Sequence, residues 1–549
     1  MAAAASSSSS PRDYAAAIAA LNSLQSNAQV IAQIRSSGGK MNALALPEMR
    51  EYWRRIGYEL EDLNALNVIH VTGTKGKGST SAFIASLLSH APLAAGAAAA
   101  AARPKVGLYT SPHLVFVRER IRIDGRPVDE ETFARYFWQV WDRLGADTER
   151  AHEATPLRPV YFRYLTLLAM HIFRQLNVSA AILEVGIGGT YDSTNIVPRP
   201  LACGISSLGL DHTALLGHTI EEIAAHKAGI YKEGVEAVSV HQKESAMAVV
   251  KEAAQKAKVA RFTALPPVGA SDALRSIRLG LPGAHQASNA QLALALTRGF
   301  LASSAAQAAF RLSQPSDLAC QLGAPPLAWE RTALEEAQWP GRCQCVPTTT
   351  TKAEEAAVTY FLDGAHTTDS LAHATSWFVD ASPPPPPPPA STAAAKTQTQ
   401  RVLLFNCTHG RSARELLEAL LHGIEDAERD KAVFDHIIFC TNETYRHGSS
   451  GDLTSKGEDS DEVKALVVQR ELEAAWLTLR PRDAAKVQVQ PSIEEALRRV
   501  RQLAAAPEAP QAHVKTDVLV TGSLLLVGGV MAHLKDAGDL DDALVSTRT

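Results

Sequence analysis

The sequence predicts an α/β protein in which a domain with a mostly parallel sheet is joined to a smaller, doubly wound domain. Three observations carry that expectation. The segment His70-Val-Thr-Gly-Thr-Lys-Gly-Lys-Gly-Ser-Thr80 follows an apolar run (Leu66, Val68, Ile69) and leads into Ala82-Phe-Ile-Ala-Ser-Leu-Leu88, whose large apolar residues recur at helical spacing. That order reads as strand, glycine loop and helix. Strand-like runs recur at 67–72, 105–110, 179–185, 201–208, 357–362, 401–407, 435–441 and 516–521. Several are β-branched-rich and apolar throughout, as strands covered on both faces must be, and lead into Gly or Asp turns and amphipathic helices. Finally, 549 residues exceed what one core can hold, so two domains are expected.

The glycine loop makes the first domain a P-loop nucleotide-binding domain. A strand-to-helix turn over Gly73, Thr74, Lys75, Gly76, Lys77, Gly78, Ser79 and Thr80 aims backbone N–H groups and a helix N-terminus at one point, which suits a polyphosphate. Lys77 adds a point charge for the terminal phosphates, and Ser79 or Thr80 a hydroxyl near Mg²⁺. The spacing departs from the common P-loop: Val71 stands where the first glycine is expected, and Gly78 separates Lys77 from Ser79.

The remaining bulk properties narrow the field. Formal net charge is -4, pI is near 6.5, and no long basic block occurs, so neither a nucleic acid nor an anionic membrane is a favoured partner. Six cysteines, at 203, 320, 343, 345, 407 and 440, are scattered and read as reduced structural thiols. Met1-Ala-Ala-Ala-Ala and the five serines after it lack the features of a secretory signal, and a transit peptide is only weakly supported. A cytoplasmic location, with a mitochondrial form as a further option, is expected. The apolar stretch Val518 to Leu534 is interrupted by Thr521-Gly-Ser523 and Gly528-Gly529, and reads as strand, turn and buried helix rather than a membrane span.

The alanine run 94–102 and the proline run 383–389 read as surface insertions, as does the Ser-, Gly- and Asp-rich stretch 448–462. The expected layout is a disordered 1–12, a nucleotide-binding domain over 13–325, and a Rossmann-like domain over 326–549 with loop inserts near 381–399 and 447–464. In the second domain, Ser492 and Glu495 are spaced as a capping box for the helix 491–500.

Three further segments fall where strands should end, which is where open α/β sheets place ligands. They are Leu108-Tyr-Thr-Ser-Pro-His-Leu114 with Val117–Gly125, then Ile182-Leu-Glu-Val-Gly-Ile-Gly-Gly-Thr-Tyr-Asp192, then Gly209-Leu-Asp-His-Thr213 with Ile223–Ile230. A carboxylate closing an apolar strand, as Glu184 does, is costly if buried unpaired, so a cation is its natural partner. Taken alone, His212 reads more simply as a satisfied core histidine, and Ser111 as a cap for the turn before Pro112.

Together with the glycine loop, these segments resemble the folylpolyglutamate synthases, relatives of the bacterial Mur ligases. The resemblance runs over nearly the whole chain: Tyr14–Ala28, Trp339-Pro-Gly-Arg342, Phe361-Leu-Asp-Gly-Ala-His366, Phe405-Asn406 and Val518-Leu-Val-Thr-Gly-Ser523. It implies that Gly76, Lys77, Gly78 and Ser79 hold the phosphates of ATP. It further implies that Ser111, Glu184 and His212 bind Mg²⁺, and that Lys227 is carried as a carbamate suited to a second Mg²⁺. Arg342 and Asp363, with Asn289, match nucleotide contacts, and His366 is placed near the phosphates. A monovalent cation is an additional candidate. Leu525 stands where relatives often have His, so a role for that position is not carried over.

The implied reaction is amide ligation. The γ-carboxylate of a tetrahydrofolate or its polyglutamate attacks the γ-phosphate of ATP, and the α-amine of L-glutamate displaces phosphate from the acyl phosphate. His366 is the candidate acceptor for the amine proton, closure of the smaller domain is expected to exclude water, and the enzyme is expected to act as a monomer. Tyr109, Phe116, Arg118, Arg120, Tyr161 and Tyr164 are candidates for the pterin pocket, though core or surface roles are the simpler reading for each. Dihydrofolate synthase activity is the nearest alternative. A Mur-type cell-wall ligase and a non-catalytic nucleotide switch fit less well, the latter having no need of Asp363-Gly-Ala-His366.

Overall fold

The computed structural model describes residues 12–25, 44–93, 103–153, 155–269, 273–312, 324–348, 358–382, 398–407, 411–425, 434–446, 452, 460–505 and 514–540. The alanine and proline runs, most of 448–462, residues 1–11 and Cys320 lie outside the described residues. The chain forms two compact units: Met1–Pro112, Val117–Pro267 and Leu292–Ala324 in one, and His113–Phe116, Val268–Gln291 and Pro325–Thr549 in the other. Two stretches upstream of residue 325, His113–Phe116 and Val268–Gln291, thus cluster with the second unit.

The first unit is built on an eight-stranded sheet: β1 (Val68–Thr72), β2 (Val106–Tyr109), β3 (Ile121–Ile123), β4 (Arg126–Pro127), β5 (Ala180–Glu184), β6 (Ala202–Ile205), β7 (Glu236–Ser239) and β8 (Arg261–Ala264). The spatial order is β4-β3-β2-β5-β1-β6-β7-β8, with β3 and β4 antiparallel at one edge and the rest parallel. All residues of β1, β2, β5 and β6 are buried, which is why these strands read as largely apolar runs. Register pairs Val71 with Glu184 and Thr72 with Ile205, so the ends of β5, β1 and β6 lie side by side along one edge. One face is covered by helices Tyr14–Ser23, Ala45–Arg55, Glu130–Ala146 and Tyr161–Gln175, which share an aromatic-rich core that includes Trp53, Phe133, Phe137 and Phe173. Asp13 starts the first of these by accepting from Ala16 N at 2.8 Å.

The second unit has six strands: β9 (Gln344–Pro347), β10 (Val358–Leu362), β11 (Gln398–Phe405), β12 (His436–Cys440), β13 (Val487–Gln490) and β14 (Val514–Thr521). Their order is β13-β12-β11-β14-β10-β9, and only β9 runs antiparallel. The apolar 518–534 stretch is the end of β14, a turn, and the helix Leu524–Asp536. Among the described residues no helix is long and apolar enough to cross a membrane. Ser492 accepts from Glu495 N at 3.2 Å at the start of the helix Ile493–Ala505. The Glu495 carboxylate lies 3.6 Å from Arg446 Nη1, so this cap differs from the expected reciprocal box.

Candidate functional site

The glycine loop leaves β1 at Thr72 and opens the helix Lys77–His90. Gly73 holds φ +151°, and a Cβ there would lie 1.9 Å from Ser206 Oγ, so both backbone and space demand glycine. Gly76 caps the helix in the left-handed region at φ 85°, and the first helical turn contains no acidic residue. The positive end of this helix is therefore not neutralised from within. The loop is tied to the end of β6: Thr74 N and Lys75 N both donate to Ser207 O, at 2.9 and 3.1 Å. Ser79 and Thr80 are buried in the opening turn, and Thr80 Oγ1 has no hydrogen-bond partner among the described residues.

Cations gather on this loop. Lys77 Nζ donates to Gly73 O at 3.2 Å, and the buried Lys227 Nζ donates to the same oxygen at 2.6 Å. Lys75 Nζ lies 3.2 Å from Asp211 Oδ2. Burial alone would raise the Asp211 carboxyl, but Lys75 and His212 outweigh it and hold the group at about 2. Burial, followed by the charge of Lys77, drives the Lys227 amine well below the ordinary lysine range. Burial also lowers His212, opposed by Asp211 and reinforced by Lys77 and Lys227. Lys75 and Lys77 thus sit on the loop beside the buried amine of Lys227, an arrangement that accepts a polyanion.

Along the same sheet edge, Glu184 closes β5, and its Oε2 accepts from Ser111 N at 3.1 Å. The Ser111–Pro112 peptide is cis. Glu184 is 4% exposed, and it starts the loop that runs to Asp192. Asp192 accepts from Gly186 N, Ile187 N and Thr194 Oγ1, and Thr72 Oγ1 donates to Gly188 O at 2.7 Å. Thr190 N and Oγ1 donate to His226 O, and a Cβ on Gly189 would stand 2.7 Å from the carbonyl of Lys227. The glycine-rich loop after Glu184 therefore lies directly on the helix that carries Lys227. The structure brings Ser111 to Glu184, gathers Lys75, Lys77, His212 and Lys227, and packs the Glu184 loop against the Lys227 helix.

Among the described residues no group of three or more His, Cys, Asp or Glu side chains could hold a metal. The expected set contains only two such side chains, Glu184 and His212, with a serine hydroxyl and a modified lysine completing it. Carboxylate, hydroxyl and carbamate oxygens with one imidazole suit a hard cation, and the buried Glu184 and the unpartnered Thr80 hydroxyl fit that chemistry.

In the second unit, the turns 339–343 and 363–366 interlock. Asp363 Oδ2 accepts from Cys343 N at 2.8 Å and from Cys343 Sγ at 3.4 Å, while Oδ1 accepts from Ala365 N at 2.9 Å. Gly364 N donates to Gly341 O at 3.1 Å, and a Cβ on Gly364 would stand 2.7 Å from Arg342 Nη1. His366 Nδ1 sits 2.8 Å from Gly364 O, and Arg411 donates to His366 O. Arg342, Asp363 and His366 are thus held in one construction. Asn289, whose Nδ2 donates to Gln286 Oε1 at 2.8 Å, sits in the first turns of the helix Gln286–Ala302.

Of the pterin candidates, Tyr109 and Tyr164 are core residues, bonded to Thr166 Oγ1 at 3.1 Å and Phe137 O at 2.9 Å. Arg120 stacks over Tyr161 at 5.5 Å, and Lys535 over Phe116 at 4.2 Å. Sequence reasoning missed the parts played by Asp192, Ser206, Ser207 and Asp211. For Asp211 the signal was its place beside His212 at the end of an apolar strand.

The chain is similar to the folylpolyglutamate synthase of Saccharomyces cerevisiae (strain AWRI796): 39% identical over 526 residues, spanning 95% of this chain and 86% of that protein. No family model matches the chain. A Mycobacterium tuberculosis folylpolyglutamate synthase complexed with ADP aligns over 95% of this chain and 99% of that one, at TM-score 0.63 and 19% identity. A folylpolyglutamate synthase–AMPPCP–folate complex aligns over 95% and 99%, at TM-score 0.55 and 22% identity. At such identities these two solved structures show a shared fold.

Proposed function

The chain belongs to the folylpolyglutamate synthase family, and from that premise we propose that it is an ATP-dependent ligase that adds L-glutamate to the γ-carboxylate of tetrahydrofolate and its polyglutamates, releasing ADP. The observation that carries the reading is the glycine loop, with an acid-free helix N-terminus and Lys77 on Gly73 O, a built receptor for a polyphosphate. Relatives solved with ADP, and with AMPPCP and folate, support the choice of nucleotide and of folate.

In this reading the first-turn N–H groups and Lys77 hold the phosphates while the folate γ-carboxylate attacks the γ-phosphoryl group. The product is an acyl phosphate, whose carbonyl carbon the α-amine of glutamate then attacks, expelling phosphate. Mg²⁺ held by Ser111, Glu184, His212 and carbamylated Lys227 would neutralise charge on the two approaching anions. Carbamate formation requires a neutral amine, and burial, followed by the charge of Lys77, shifts Lys227 toward that form. In the second unit, the Asp363 and Gly364 contacts hold the Arg342 turn, which supports Arg342 as a nucleotide contact, and His366, oriented through Nδ1, is the candidate acceptor of the amine proton.

A substrate panel with product-length analysis tests the proposal. Glutamate-dependent ADP release with tetrahydrofolate, lengthening its tail, is expected, and turnover with dihydropteroate alone would instead make the chain a dihydrofolate synthase. For the carbamate, ¹³C-bicarbonate should give a carbamate carbon resonance in the wild type that is missing from Lys227→Ala; equal spectra would remove that assignment.

A further inference from the structure

Gln242 lies just past β7, on the same sheet edge as the glycine loop, and is 6% exposed. Its amide is used in both senses. Oε1 accepts from Leu208 N at 3.0 Å, while Nε2 donates to Ser206 O at 3.0 Å and to Ser239 Oγ at 3.3 Å. Ser239 Oγ itself donates to Val240 O at 2.9 Å, which leaves it the acceptor in its contact with Gln242. A side chain with one acceptor and two donors on a planar fork is needed here, and among neutral residues of this length glutamine supplies it.

What the amide grips is the segment against which the nucleotide loop is built. Between the two backbone groups it holds lies Ser207, whose carbonyl receives Thr74 N and Lys75 N. Ser206 Oγ donates to Lys75 O at 2.7 Å and to Thr72 O at 3.2 Å. Thr74 Oγ1 and Gly209 exchange hydrogen bonds at 3.1 Å in both directions. Every one of these contacts ends on the backbone or side chain of residues 72–75, the first half of the glycine loop. With a Cβ on Gly73 already excluded by Ser206, the loop has little latitude to adopt another path while Ser206–Gly209 stays where it is.

We propose that Gln242 is a positioning residue for nucleotide binding, which fixes the Ser206–Gly209 segment and through it the path of the glycine loop at residues 72–75. This rests on the reading of that loop as the ATP site. Gln242 touches no phosphate itself; its effect passes through Ser207 O and Ser206 Oγ. A displacement of about 1 Å in such a loop costs on the order of a hundredfold in rate when it misaligns the reacting groups.

The test uses the full chain. ADP affinity is measured by calorimetry, steady-state constants are measured for ATP and for glutamate, and melting temperature is recorded for each protein. Gln242→Met removes both senses of hydrogen bonding at similar volume, and Gln242→Glu keeps the acceptor for Leu208 N but loses the donor to Ser206 O. The expected result is a roughly ten- to hundredfold loss in ADP affinity and in kcat/KM for ATP with Gln242→Met. KM for glutamate should stay within about threefold, and Gln242→Glu should fall between wild type and Gln242→Met. Unchanged ADP affinity with a lowered melting temperature would overturn the proposal, as would equal losses for ATP and glutamate. If Gln242→Met does not fold, Ser206→Ala, which removes the bonds to Lys75 O and Thr72 O, must show the same selective loss or the proposal falls. Wild type that fails to bind ADP would remove the nucleotide reading itself, a result separate from any behaviour of the variants.

Discussion

The two units each place glycine turns at the ends of parallel strands, yet they use charge in opposite ways. In the first, Lys75, Lys77 and Lys227 crowd the glycine loop, two of them on the same carbonyl oxygen, with Asp211 as the nearby carboxylate. In the second, the charged group of the corresponding turn, Asp363, is consumed by its own chain: two backbone N–H groups and a thiol point at it. The first arrangement suits an incoming polyanion; in the second the carboxylate is already bonded within its own chain. The lesson is that a charged residue in a motif can serve as a ligand or as scaffolding, and its hydrogen-bond partners tell which.

The largest expected effect exploits a related contrast in buried histidines. His70, in the middle of β1, and His171 are buried in the first unit, and burial, with Lys232 and Arg143 adding to it, pushes each down to about 3. His70 Nε2 contacts Thr194 Oγ1 at 2.8 Å, and that hydroxyl donates to Asp192 Oδ1 at 2.5 Å, so Nε2 carries the proton of a neutral ring. The unfolded chain binds protons at these sites near pH 6.5 and the folded chain does not, so stability falls as pH drops through that window. At pH 5 the loss is about 2 kcal/mol for each histidine. Asp192, which burial raises, acts in the opposite sense at lower pH. In the second unit, burial and the neighbouring His373 push His285 down to about 4, but its solvent-exposed surface screens the effect, so its share is smaller than that of His70 or His171. Acid titration followed by hydrogen exchange should open the first unit before the second, and His70→Gln, which keeps the donor to Thr194, should flatten the profile. Simultaneous opening of both units, or a profile unchanged by His70→Gln, would break the contrast.

Next in size is the charge on the glycine loop. Lys77→Ala should lower ligation roughly a hundredfold or more, by analogy with other electrostatic stabilisers, with melting temperature little changed. Near-normal turnover would show that Lys77 is not part of the phosphate site.

How much of this was legible follows from what each residue must satisfy. All eight expected strands are present, because an interior strand has to be apolar on both faces and so announces itself. The strands β3, β4, β7, β8, β9 and β13 escaped for physical reasons, the first two because they are short antiparallel strands at the sheet edge. Arg261–Ala264 is half exposed, Val487–Gln490 alternates valine with glutamine on a partly buried edge, Gln344–Pro347 ends in proline on an antiparallel edge, and Glu236–Ser239 has only Val238 as a strong strand former. The glycine loop could be read because its backbone tolerates few residue types, as the 1.9 Å contact at Gly73 shows. Asp192 and Gln242 could not, since their roles arise only when the register of the sheet brings distant loops together. A lone glutamine after a short strand has no local pattern that marks it.

The smallest expected effect tests the other half of the comparison. If Asp363 is scaffolding, Asp363→Asn should cost the second unit about 1–3 kcal/mol, because one amide NH₂ must face either Cys343 N–H or Ala365 N–H and leave that donor unsatisfied. The loss should appear in denaturant unfolding and in exchange at 341–343 and 364–366, before it appears in the affinity of the first unit for ADP. Cys343→Ser, which keeps a donor toward the same carboxylate, should cost less than half as much. A variant with unchanged stability but lost nucleotide affinity would mean that Asp363 is a ligand after all, and that the two units differ in degree rather than in kind.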